Sequence, residues 1–402
     1  VSWNEITLGE AFTIKHGYAF KSKYFSDAGR HIVLTPGNFN ETGGFRIRPE
    51  KERYYTTEPP EDFILKTGDL IVAMTEQGEG LLGSSAIVPS DGRYLHNQRI
   101  GLIENLDDTK LHRGFLYRLF NSRTVRAQIR STASGTKVRH TAPKRIYSVK
   151  VRIPDVSQQQ AIAEYVSPYD DLIENNRRRI SFLEDAARML YREWFLRLHF
   201  PGYEHVEVAD GLPIGWERRT LSDVITLVKD TVKPSSFGED DIHIGLEHLP
   251  RRSFTLSDWE PTNDLTSSKT RFQTGDILFS KIRPYFHKVG FTVRSGLASS
   301  DALVFRVKES QDWPLVVCAT SSDHFVAVAS KTVREGSKMP RADWNVLKKY
   351  PIPKASQGVI EAFNDIVKPI TDQCKTLALE NRSLVEARDI LLPRLMNGEI
   401  AV

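Results

Sequence analysis

The chain repeats itself at a distance of about 200 residues, and this repeat limits its possible folds more than any other feature. Trp3-Asn4-Glu5-Ile6-Thr7-Leu8 is echoed by Trp216-Glu217-Arg218-Arg219-Thr220-Leu221, and Leu65-Lys66-Thr67-Gly68-Asp69-Leu70 by Phe272-Gln273-Thr274-Gly275-Asp276-Ile277. Gly135-Thr136-Lys137 returns as Gly336-Ser337-Lys338, and Ile153-Pro154 with a Gln-rich helix start as Ile352-Pro353 with Ser356-Gln357. Solenoid periods run only to roughly 50 residues. The repeat therefore describes two copies of a whole domain, each with its connector. Two such domains in one chain suggest a target with two halves.

Four blocks follow. Residues 1–154 and 205–353 alternate short strand-like runs, such as Asp69–Met74 and Ala302–Val307, with Gly- and Pro-marked turns. Residues 155–200 and 354–402 read as helical. The expected fold class is α+β: two tandem mixed domains separated by long helices.

Both helical blocks carry a heptad pattern. Val166, Ile173, Ile180, Ala187 and Trp194 form one row of the first, and Ile162, Tyr169, Asn176, Leu183 and Leu190 its companion. Phe363, Ile370, Leu377, Leu384 and Leu391 form the corresponding row of the second, whose other row (Val367, Cys374, Asn381, Arg388, Leu395) is mixed and expected to pack less uniformly. Sustained heptads signify a coiled coil, although two unrelated amphipathic helices would give part of this signal. The matched registers favour an antiparallel pair within the chain, with Val166, Ile173, Ile180, Leu183, Leu190, Ile370, Leu377, Leu384 and Leu391 in its seam. Pro369 follows Pro168 by 201 residues, so each block is expected to be a short helix, a break and a long helix. The first long helix would span roughly 48 Å, enough to hold two domains over sites one DNA turn apart, roughly 34 Å.

The net charge of +4 conceals an uneven distribution. Thr109 to Pro154 contains twelve Lys or Arg residues and no Asp or Glu. Arg113, Arg118, Arg123, Arg126 and Arg130 alternate with apolar residues as in an amphipathic helix with one cationic face. A charge run is often only a solvated surface, but an acid-free stretch of this length favours a polyanion partner. No apolar run reaches the ~18 residues of a membrane span, and the start, Val1-Ser2-Trp3-Asn4, does not read as a signal peptide. With two cysteines and no CxxC, the expected compartment is a reducing cytoplasm.

Catalytic motifs are absent from the sequence. There is no GxxxxGK[ST] phosphate loop and no [DN]-Pro-Pro-[FYW] tetrapeptide. Gly78-Glu79-Gly80 reads as a tight turn. His96, His140, His243, His248 and His287 read as surface or loop groups, so no metal site is expected. The chemistry present suits recognition. Gly17-Tyr18-Ala19-Phe20-Lys21-Ser22 joins a turn, aromatics and a cation, and Leu95-His96-Asn97-Gln98-Arg99 supplies groups able to read adenine or guanine edges. The second copy offers Phe279 to Tyr285, Lys288 and Ser299-Ser300-Asp301. Ordinary polar loops would look similar residue by residue. The candidate DNA contacts are Lys21, Ser22, Asn97, Gln98, Arg99, Arg123, Arg126, Arg130, Lys137 and Arg139, with Lys281, Arg283, Tyr285, Lys288, Ser300, Lys338 and Arg341 in the second copy. Among them Arg123, Arg126, Arg130 and Lys137 are expected on phosphates, and Gln98 and Arg99 on bases.

These residues resemble the specificity subunit of type I restriction-modification systems. The resemblance covers essentially the whole chain. It rests on the tandem plan, the Gly-Tyr-Ala-Phe-Lys-Ser turn, Thr-Gly-Asp before a strand, His-Asn-Gln-Arg, and the paired helical endings Glu174–Phe195 and Glu380–Glu399. It implies a non-catalytic chain with target-recognition domains at 1–154 and 205–353, each reading one half of a bipartite double-stranded DNA target. The helical spacers would set the unread interval and dock two modification subunits that methylate adenine N6 with S-adenosylmethionine. Where a restriction subunit exists, two copies would add ATP- and Mg-dependent cleavage; the chain itself would bind no cofactor. An adaptor that binds RNA or another polyanion, and an enzyme with an unfamiliar site, are the alternatives.

Overall fold

A computed structural model describes residues 3–48, 51–76, 80–136, 138–332 and 340–400. Lys137, Lys338, and the repeat segment Gly336-Ser337 with it, lie outside them, as do Gly78 and Glu79. The chain forms two compact units, Val1–Pro168 with Arg388–Val402 and Tyr169–Ala387.

In the first unit, strand β1 (Asn4–Thr7) anticipates its partner at the far end of the block. The central strands are β2 (Thr13–His16), β3 (His31–Val33), β4 (Leu70–Ala73), β5 (Ser85–Ile87), β6 (Tyr94–Leu95) and β7 (Ile100–Glu104). Helices α1 (Arg113–Asn121) and α2 (Arg123–Ser131) follow, then β8 (Lys150–Ile153), which closes on β1 with Asn4 opposite Ile153. An antiparallel sheet runs β2-β7-β4-β5, and β3 pairs with β6 in parallel. Helix α3 (Val156–Tyr191) leaves this unit. Its first turn is held by Gln159, fully buried, whose side chain donates to the Pro154 and Lys110 carbonyls and accepts the His112 amide.

The second unit repeats this plan. It contains β9 (Glu217–Thr220), β10 (Ile225–Leu227), β11 (Ile242–Ile244), β12 (Ile277–Ser280), β13 (Val289–Thr292), β14 (Gly296–Ala298) and β15 (Ala302–Val307). Helices α4 (Trp313–Thr320) and α5 (Asp323–Lys331), strand β16 (Pro351–Lys354) and most of helix α6 (Gln357–Met396) complete it, the last residues of α6 belonging to the first unit. The sheet order β10-β15-β12-β13 matches β2-β7-β4-β5, β11 pairs with β14 in parallel, and β9 closes on β16 with Glu217 opposite Lys354.

The repeated words have structural causes. Thr7 and Thr220 each cap a helical turn through an acid three residues on: Glu10 Oε1 accepts the Thr7 amide at 2.7 Å and Asp223 Oδ2 the Thr220 amide at 2.7 Å. In both Thr-Gly-Asp turns the glycine is left-handed, at φ 84° for Gly68 and 89° for Gly275. The aspartate then accepts an amide three residues back, Lys66 to Asp69 and Gln273 to Asp276, each at 2.8 Å. That turn feeds the fully buried strands β4 and β12.

The single amphipathic helix expected across Arg113–Arg130 is two helices. Ser122 is extended and its hydroxyl accepts the Val125 amide at 3.3 Å, so it stops α1 and caps α2; Ser322 does the same for α5 through Phe325. Arg118 is buried and donates to the Ala163 carbonyl rather than joining a cationic face.

The expected breaks at Pro168 and Pro369 are also absent, since both prolines lie inside α3 and α6. Proline removes the donor to the carbonyl four residues back. At Pro168 that carbonyl, Glu164, instead accepts the Ser167 hydroxyl at 3.3 Å. The helices pair antiparallel within each unit. In the second, the Asn381 amide donates to the Ile173 carbonyl at 3.3 Å, and Asn176 to Glu380 at 3.2 Å. In the first, Ile162 and Val166 share a core with Leu395 and Met396, with Leu391 and Leu392 packed against it. The mixed row of the second block is buried at Val367, Cys374, Asn381 and Leu395, and the apolar row at Phe363 and Leu377, with Ile370, Leu384 and Leu391 half-buried. Val367 and Cys374 also face the core of the second unit, not only a partner helix.

Glu184 fastens α3 to that core. It is 2% exposed, and its Oε1 accepts the Phe254 and Thr255 amides at 3.1 and 2.9 Å and the Ser253 and Thr255 hydroxyls at 2.8 and 2.7 Å. Arg188 meets Oε2 at 3.2 Å.

Candidate nucleic-acid interface

Two sequence motifs of the first unit meet at one edge. The Tyr18 amide donates to the His96 carbonyl at 2.8 Å, and the Gln98 amide to the Tyr18 carbonyl at 3.1 Å. The glycine before Tyr18 is dictated by this approach: a Cβ on Gly17 would stand 2.1 Å from the Asn97 carbonyl oxygen. Tyr18 packs on Phe20 and Phe63, and Phe20 on Tyr55. That aromatic base carries Lys21, Ser22, Gln98 and Arg99 exposed and Asn97 half-buried. His96, read from sequence as a surface group, is fully buried, with Nε2 2.9 Å from the Ile100 carbonyl. Burial pushes its pKa down to about 4, so it is neutral at physiological pH. His287 is likewise buried, on the Ser321 carbonyl.

The same backbone frame continues into the basic region and recurs in the second unit. Met74 donates its amide to the Arg99 carbonyl at 3.1 Å and accepts the Thr141 amide at 2.9 Å, while Thr75-Glu76 pairs with Arg139-His140. In the second unit Lys281 donates to the Asp301 carbonyl at 3.1 Å and accepts the Ala342 amide at 2.8 Å, while Ile282 bridges Arg341. Met74 thus corresponds to Lys281, Glu76 to Arg283, Arg99 to Asp301 and His140 to Arg341. One frame displays different charges, with a cation where the other copy has an anion at two of the four positions. Asp301 lies 3.5 Å from Lys281 Nζ and 3.2 Å from Arg341. Ser300, Arg283 and Tyr285 beside them are exposed. Lys288 turns inward onto the Leu246 carbonyl.

The acid-free run of sequence is not acid-free in space. Glu76, 2% exposed, accepts the Gly80, Leu81 and Leu82 amides at 3.1, 3.1 and 2.9 Å and lies 3.6 Å from Arg130. Arg126 is half-buried and donates to the Gly80 carbonyl. Burial and the neighbouring Arg130 push its pKa down to about 10, leaving it charged at neutral pH. Arg123 is exposed and Arg139 half-buried. Glu76 was missed because it comes from a different strand, and nothing local marks it.

Among the described residues one group could hold a metal: His243, Glu247, His248 and Glu260, whose ligand atoms all lie within 4.8 Å of one another. The sequence reading of scattered surface histidines fails here because a strand pairing joins residues that are apart in the chain. No helix among the described residues is long and apolar enough to cross a membrane.

Residues 1–185 match the family described as the type I restriction modification DNA specificity domain. A type I restriction enzyme MjaIX specificity subunit from Methanocaldococcus jannaschii is 24% identical over 72% of this chain and 69% of its own length. The HindI specificity subunit from Haemophilus influenzae is 21% identical over 84% and 87%. Residues 1–185 thus match the specificity-domain family, and most of the chain is similar to type I specificity subunits. The crystal structure of a type I restriction-modification S subunit from M. genitalium shares the fold, with a TM-score of 0.60 at 14% identity over 98% of this chain and 96% of the other.

Proposed function

We propose that this chain reads a bipartite DNA sequence, with each unit taking one half of the target. The observation that carries this reading is the shared frame with different charges. Two copies that bound nucleic acid only as a polyanion would be expected to keep a cation at this position, whereas the second carries Asp301, ion-paired to Lys281 and Arg341, where the first has Arg99. Base readout accounts for the exchange, because cytosine N4 presents a donor where guanine presents acceptors. Residues 1–154 and 205–353 act as the target-recognition domains, the paired helices set the unread spacer, and modification subunits dock on them. This chain positions DNA. Adenine N6 methylation with S-adenosylmethionine, and ATP-driven cleavage where a restriction subunit is present, belong to the partners.

In the first unit, Lys21, Ser22, Asn97, Gln98 and Arg99 face bases and sugar at the motif edge, while Arg123 and Arg139 meet phosphates. Arg126 and Arg130 support the Glu76 turn. In the second, Lys281, Arg283, Tyr285, Ser300 and Arg341 form the reading set. Arg123→Ala is expected to weaken binding to all sequences and reduce the salt slope by about 1. Arg126→Ala is expected to leave that slope unchanged and to destabilise the fold by about 1–3 kcal/mol, since it strips a partner from a half-buried carbonyl. Salt titrations of duplex binding, with urea melts, separate the two.

The function itself is tested by mapping adenine methylation in the source cells with and without this gene. Loss of one split motif is the expected result. An unchanged methylome in cells expressing the modification subunit would refute it.

A further inference from the structure

We propose that His243, Glu247, His248 and Glu260 form a structural site for a divalent transition metal of the zinc class in the second unit. His243 lies on β11 directly opposite Glu260, and its Nδ1 stands 2.8 Å from Glu260 Oε1. In that contact Nδ1 and Oε1 already stand side by side, as two ligands of one ion do, and an ion held between them takes the place of the Nδ1 proton. All four ligand atoms, one from each residue, lie within 4.8 Å of one another.

The remaining donors come from the turn that follows β11. His248 Nε2 is 3.9 Å from Glu260 Oε2, and Glu247 is exposed on the same turn. Two imidazoles and two carboxylates fit a borderline divalent ion, and four protein donors leave no open position, so the site is structural rather than catalytic. His248 Nδ1 now accepts the Gly245 amide at 2.9 Å. Ligation through Nε2 moves the ring proton to Nδ1, gives up that bond and rearranges the Gly245–His248 turn. The Ile244 carbonyl accepts the Ser299 amide at 3.1 Å, next to Ser300 and Asp301. A bound ion therefore stiffens the strand behind the second reading frame. Among its described residues the first unit has His31 on β3, with Nδ1 on the Gly92 carbonyl, and no counterpart set.

The test is titration of the full chain, without a histidine tag and stripped with chelator, with Co²⁺ followed by visible absorption and displaced by Zn²⁺. One equivalent with d–d bands of low-symmetry coordination is expected. Glu247→Gln and His248→Ala, at exposed and half-buried positions that should preserve the fold, are expected to weaken it at least about ten-fold. Absence of saturable binding by the unaltered chain, or binding unchanged in both variants, would overturn the proposal. DNA recognition can fail without affecting this readout.

Discussion

Replacing Glu184 by alanine is expected to lower the stability of the second unit by about 3–5 kcal/mol, read as a shift in the urea midpoint at constant slope. The size follows from what is left behind. Two amides, Phe254 and Thr255, and two hydroxyls, Ser253 and Thr255, lose a single shared acceptor, and Arg188 loses its buried partner. Water does not replace the carboxylate readily, because the residue is 2% exposed. Glu184→Gln keeps the shape and one acceptor oxygen, so it should retain part of the loss, whereas Asp185→Ala, on the exposed neighbour, should cost less than about 0.5 kcal/mol. Equal melts for Glu184→Ala and Asp185→Ala would mean that the helix is held to its unit by apolar packing alone.

Glu184 also marks the limit of what the sequence discloses. The heptads at Val166 to Leu190 and Ile370 to Leu391 announce long paired helices, and the Thr-Gly-Asp and Trp-containing repeats announce two similar units. Such features are legible because helix period, turn glycine and buried strand each leave a local pattern. The heptads do not say that Val367 and Cys374 also face a core built of strands. Nor does any pattern show that Glu184 is buried, because the donors that retain it come about 70 residues later. The same holds at the candidate site. Gln98, Arg99 and the Gly17–Ser22 turn are visible as words, and the frame that joins them is not. Arg126 and Arg130 look like free cations in an acid-free stretch until Glu76 is brought beside them by strand pairing. Local chemistry was readable. Its long-range partners were not.

Gly17→Ala is expected to abolish discrimination in one half of the target while sparing the other. The backbone at Gly17 is not in the left-handed region, so conformational freedom is not the reason for glycine. Space is: the added Cβ would overlap the Asn97 carbonyl, 2.1 Å from its oxygen and 2.2 Å from its carbon, and the His96 carbonyl at 2.7 Å. These are backbone atoms with no rotamer to escape into. Either the turn or the His96–Gln98 segment must move, breaking the Tyr18–His96 and Gln98–Tyr18 hydrogen bonds, at about 1–3 kcal/mol or more. Gln98 and Arg99 move with them. In competition binding with duplexes altered in one half at a time, changes to the first half should then cease to matter, while changes to the second still cost about 1–3 kcal/mol per base pair. Gly358→Ala is the control, with nothing within 4 Å of its Cβ at the start of α6, and should bind as the parent does. Loss of discrimination at both halves would mean that Gly17 supports the chain as a whole. Full retention at both would remove the Gly17–Ser22 turn from the reading surface and leave first-half recognition to the frame around Met74, Glu76 and Arg139.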